Sequence, residues 1–69
     1  MLYSIAVSAQ GVNDSIKTGN LNEIKELNEL IEKWPTADNF YYRGYSYFAI
    51  KDYQNALLDY NKAIAIDST

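Results

Sequence analysis

Residues 37–69 read ADNFYYRGYSYFAIKDYQNALLDYNKAIAIDST, and the spacing within this stretch decides the fold. Phe40, Gly44 and Tyr47 recur at intervals of four and three, and Ala56, Tyr60 and Ala63 do the same. That is the period of one helix face, not of a strand. Thr36 supplies an N-cap for a helix running to about Ile50. Asp52 caps a second helix from Tyr53 to about Ile66, with Asn55 at its third position. Only Lys51 and Asp52 lie between them, and so short a link forces the helices antiparallel. The stretch is expected to be a tight helical hairpin.

Two further helices are expected upstream. From about Ser4 to Lys17, the apolar residues Leu2, Ile5, Ala9, Val12 and Ile16 are spaced by three or four. Gly11 and the Asn13-Asp14-Ser15 cluster weaken this helix, since glycine costs about 1 kcal/mol against alanine in a helix interior. Thr18-Gly19-Asn20 reads as a turn. The next helix opens with Asn20 as N-cap and Glu23 three residues later, the arrangement of a capping box. Leu21, Ile24, Leu27, Leu30, Ile31 and Trp34 form its apolar stripe, and Glu29 precedes Lys33 by four, the favourable order. Pro35 ends it, because the residue before a proline is pushed out of the α region. The expected architecture is all-α: four helices in two antiparallel helical hairpins, one in residues 1–35 and one in 36–69.

Phe40-x-x-Arg43-Gly44-x-x-Tyr47 followed by Ala56-x-x-x-Tyr60-x-x-Ala63 resembles a tetratricopeptide repeat. Gly44, Tyr47, Ala56 and Ala63 match the family's pattern outright, and Phe40 and Tyr60 place an aromatic where it has one. Arg43 stands in place of leucine and Ser68 in place of proline. The small Gly44 lets the two helices approach, Ala56 offers a matching small surface, and Phe40, Tyr47 and Tyr60 fill the volume beside that contact. Residues 1–35 are expected to be a degenerate repeat or a capping hairpin, the whole forming a short α-solenoid similar to that family's.

The composition removes several function classes. There is no cysteine, hence no disulfide framework or thiolate zinc site, and no histidine to act as a general base near neutrality. Glu23, Glu26, Glu29 and Glu32 spiral round a helix at three-residue spacing, which reads as a solvated face and not as a metal or acid–base cluster. No phosphate-binding glycine loop and no nucleophile motif is present, so an enzyme is not expected, nor any cofactor or metal. Six basic against nine acidic residues give a net charge of −3, which disfavours nucleic acid. No run of 18 apolar residues exists, so no membrane span is expected, and a cytoplasmic protein is the default.

The function expected is therefore protein–protein interaction. The resemblance places a peptide-binding groove at Asp38, Tyr41, Tyr45, Phe48 and Ala49. Tyr41, Tyr45 and Phe48 lie in one row at helical spacing, rigid amphipathic side chains suited to a peptide. Such a row is also what packing against a neighbouring hairpin produces. Some relatives grip a chaperone's terminal carboxylate with lysine and asparagine at these places. Here Tyr41 and Tyr45 stand there, so that clamp is not expected. Arg43, the single guanidinium, reads as an interhelix salt bridge more readily than as a ligand contact. Leu57, Leu58 and Ile64 lie away from the hairpin seam, and they form an apolar face for self-association or a larger assembly. The rival reading is a homo-oligomerisation or capping unit, or a fragment of a longer protein of repeats, without a separate ligand.

Overall fold

The computed structural model describes the backbone of residues 2–67 and the side chains of residues 15–67. It contains three helices and, among the described residues, no strand: α1 (Leu2–Lys33), α2 (Ala37–Ala49) and α3 (Tyr53–Ile66). Helix α2 packs against both neighbours, while α1 and α3 make no packing contact with each other among the described residues.

The expectation of four helices is corrected, because the two expected in residues 1–35 are one. Thr18-Gly19-Asn20 does not turn. Gly19 keeps a negative φ, and a Cβ placed on it would meet nothing within 4 Å. Asn20 is no N-cap: its side-chain amide donates to the Ile16 carbonyl at 2.9 Å, four residues back within the same helix. The expected capping box is absent with it. One glycine costs the helix about 1 kcal/mol, too little to break it when nothing forces a positive φ. Residues 1–35 therefore hold no hairpin. Of the upstream stripe, Leu2, Ile5, Ala9 and Val12 lie outside the described side chains, and Ile16 is exposed.

Glu23 acquires a different partner. The Ser46 hydroxyl, fully buried on α2, donates to Glu23 Oε1 at 2.8 Å and ties α1 to α2. Ile24 and Leu27 are buried on that same contact. Glu29 and Lys33 form no ion pair, and the one salt bridge among the described residues lies elsewhere.

The hairpin follows its expected bounds to within a residue. Proline ends α1 at Lys33, and the Asn39 amide donates to the Trp34 carbonyl across the link at 2.9 Å. Thr36 Oγ1 accepts from the Asn39 N–H at 3.2 Å, and Asp52 Oδ1 from the Asn55 N–H at 3.4 Å. Helix α2 closes with the Lys51 N–H donating to the Phe48 carbonyl and the Asp52 N–H to that of Tyr47, both at 2.9 Å, the paired bonds of a Schellman turn. Its left-handed position is held by Lys51, at φ 66°. A side chain there costs about 1 kcal/mol or more, partly offset by the larger unfolded-state entropy of glycine. Lys51→Gly should therefore raise stability by about 0.5 kcal/mol, read as a higher urea midpoint at unchanged slope.

At Gly44 the two helices approach closely, as its smallness implied. The facing atoms nearest to a Cβ at that position belong to Tyr60 and Asp59, not to Ala56: Tyr60 Cε1 at 2.9 Å, Tyr60 Cδ1 at 3.0 Å and Asp59 Cβ at 3.1 Å. Ala56 and Ala63 are buried on the same side of α3.

Arg43 joins all three helices. Its Nε donates to Asp59 Oδ2 at 2.8 Å and its Nη2 to Asp59 Oδ1 at 2.7 Å, a two-pronged ion pair from α2 to α3. Its remaining prong, Nη1, donates to Asn28 Oδ1 on α1 at 2.9 Å. The guanidinium also lies 5.6 Å from the Phe40 ring centroid and 5.9 Å from that of Tyr47. Asp59 is only 4% exposed, yet no buried side-chain polar atom among the described residues lacks a partner. The hydrogen bond to Asp59 raises the Arg43 pKa above its ordinary value. Arg43 is thus an interhelix salt bridge and is fully used within the fold.

Candidate functional site

Antiparallel packing of α2 on α3 leaves a shallow trough along their seam. Glycine at position 44 brings the helices close enough for the Tyr60 ring to lie under it, and Tyr60 and Ala63 form the floor. Tyr41 and Ile64 wall one end. Phe48, Tyr53 and Leu57 wall the other, with Ala56 between them. The rings are interlocked: Tyr41 and Tyr60 have centroids 5.5 Å apart, and Phe48 and Tyr53 5.3 Å. No charged side chain lines these two stretches. Beyond Tyr41 the trough runs out between Asp38 and Asp67, with Ala37 beside them, so one end is acidic.

Tyr60 is half-buried there. Loss of water around its hydroxyl pushes the phenol pKa up, and the neighbouring Tyr41 and Tyr45 hydroxyls add to the shift. The Tyr60 hydroxyl accordingly stays protonated and able to donate a hydrogen bond.

The structure brings together residues that the sequence divides between two sites. Tyr41 and Phe48, expected in a peptide groove, face Leu57 and Ile64, expected in a self-association face, across one trough. Ile64 is 63% exposed, so this surface is open. Asp38 stands at the acidic end. Tyr45 lies on the rim, 59% exposed. Ala49 is turned away, lining a separate depression with Ile16, Lys17, Ile50 and Lys51 where the end of α2 meets α1. Leu58 is 62% exposed but lines none of the trough, so the self-association triad is not one face.

Tyr53, Tyr60 and Ala63 were not among the expected site residues. The signal for Tyr60 and Ala63 was ambiguous, because a residue at the seam of a hairpin both packs the core and floors the groove outside it. Among the described residues, no group of three or more acidic side chains is placed to hold a metal ion. No helix among them is long and apolar enough to cross a membrane.

No curated protein and no solved structure matches the chain. The sequence profile of the tetratricopeptide repeat family matches residues 37–69, the stretch that holds α2, the Schellman turn and α3. Repeats of this family generally mediate protein–protein interactions and are typically non-enzymatic. Residues 37–69 of this protein are a tetratricopeptide repeat.

Proposed function

We propose that this protein is a binding module that seats an apolar segment of a protein partner in the α2–α3 trough. The observation that carries this reading is the uncharged lining from Phe48 and Leu57 to Tyr41 and Ile64, on a chain in which 22% of residues are charged. Contiguous exposed apolar surface marks an interface. Four tyrosines in and around the trough add hydroxyls that orient a ligand while keeping the wall rigid. The trough lies between two helices, so the segment it fits is an amphipathic helix with apolar residues at intervals of three and four. Asp38 and Asp67 at one end favour positive charge on that end of the segment.

Selection of peptides from a displayed random library on the whole chain tests this. Selected peptides should carry an apolar i, i+3, i+7 pattern with a basic residue near one end. Ile64→Asp and Tyr41→Ala should each weaken their binding about 30-fold, the loss expected of a central anchor. Leu21→Ala, on an exposed residue of α1 that lines none of the trough, should leave it within about twofold. Peptides that bind Ile64→Asp as tightly as the parent chain would place the interaction elsewhere.

A further inference from the structure

Helix α1 is far longer than the helix it packs on. Its 32 residues span about 48 Å, whereas the 13 residues of α2 span about 20 Å. The end of α2 meets α1 at Ile16 and Lys17, so residues 2–15 of α1 project past the α2–α3 turn by about 21 Å. The trough on α2 and α3 has nearly the same length, set by the 14 residues of α3.

The projecting segment has the composition of a helix that belongs on a surface. Leu2, Ile5, Ala9, Val12 and Ile16 precede, in helical register, the stripe on which Ile24 and Leu27 are buried and Ile31 is half-buried. The stripe is in phase across residues 18–20 because α1 does not break there. Residues 2–13 contain no charged side chain, and neither do the two apolar stretches of the trough between Phe48 and Ile64. The helix start carries partial positive charge and has no acidic residue in its first turn, while one end of the trough carries Asp38 and Asp67. A straight helix cannot fold back on its own hairpin. A second copy can receive it.

We propose that the projecting N-terminal half of α1 docks in the α2–α3 trough of a second copy of this chain, its start toward Asp38 and Asp67, in a head-to-tail contact. The inference rests on the trough's being a helix-binding surface, as proposed above, and names its occupant. The contact continues the α1–α2 interface along the same stripe. Because a head-to-tail contact uses two different surfaces, reciprocal docking closes a pair, and one-way docking extends into a chain of copies.

Sedimentation of the whole chain and two variants tests it. Ile5→Glu with Val12→Glu charges the projecting stripe while keeping strong helix formers there. Ile64→Asp charges the trough. At about 100 μM the parent chain should sediment above monomer mass, and each variant alone as a monomer with parental helix content by circular dichroism. An equal mixture of the two variants should regain association as one-to-one pairs, since one supplies an intact trough and the other an intact helix. A parent chain that stays monomeric overturns the proposal. So does association of the Ile5→Glu, Val12→Glu variant at the parental level, which would mean a trough-to-trough contact, and so does a mixture that remains monomeric. A monomeric parent that still binds selected peptides through Ile64 removes this inference alone and leaves the binding function standing.

Discussion

Replacing Arg43 with methionine should lower the melting temperature by about 10–20 °C. The variant strands Asp59, a carboxylate 4% exposed, without its two charge-assisted donors. Breaking one side of a buried ion pair costs about 3–5 kcal/mol. Arg43 keeps 21% of its side chain exposed, so solvent screening reduces this to about 2–3 kcal/mol. That is a large part of the stability available to a chain of 69 residues. Removing both charges with Arg43→Met and Asp59→Leu should recover most of the loss, since an apolar pair of similar volume needs no desolvation. Thermal melts followed by helical circular dichroism read both. A shift below about 2 °C for Arg43→Met would mean that the pair is energetically idle.

The second large effect is expected at Gly44. Valine there places its Cβ 2.9 Å from Tyr60 Cε1 and 3.1 Å from Asp59 Cβ, before its two methyls are counted. The tyrosine ring can swing, but the Asp59 Cβ is fixed to the backbone of α3, so the helices must separate. Overpacking of this kind costs about 3 kcal/mol, and the added side chain recovers only a few tenths through helix propensity. Gly44→Ala meets the same atoms without the extra methyls, and its helix propensity gain of about 1 kcal/mol offsets much of the strain. A net loss near 1 kcal/mol is expected for it. Urea titration of the two variants should therefore show a graded loss with Ala above Val. Equal midpoints for valine and the parent would mean that Gly44 is not the close contact. Because Tyr60 floors the trough, peptide binding should fall with the same variants.

The hairpin was legible because its punctuation is local and chemical. Pro35 has no N–H to continue α1, Thr36 and Asp52 each cap a helix with a side-chain oxygen, and two residues leave no room for anything but an antiparallel return. Thr18-Gly19-Asn20 carries the same kinds of residue without the same constraint. Glycine permits a turn but does not impose one, and asparagine finds an acceptor inside the helix as readily as at its start. The sequence did hold the contrary signal. Ile16, Asn20, Ile24, Leu27 and Ile31 follow one another at four, four, three and four, a single unbroken stripe.

The trough was only half legible for a related reason. Periodicity sorts residues onto faces of one helix, but which faces of α2 and α3 open together depends on their separation, and Gly44 and Tyr60 set that. Asp59 shows the same limit. It sits in register with Ala56, Tyr60 and Ala63, an acid in an apolar strip, and its partner Arg43 is the chain's only arginine, yet the spacing alone does not reveal that their forks meet.

The three-way reach of Arg43 couples two packing events that a simple stack of helices would keep separate. In a solenoid, each interface is expected to contribute on its own account. Here one long side chain loses its rotational freedom when α3 clamps two of its nitrogens, and the third is then already aimed at Asn28. The hairpin contact and the α1 contact thus share the cost of ordering one guanidinium, so that each is more favourable when the other is already made.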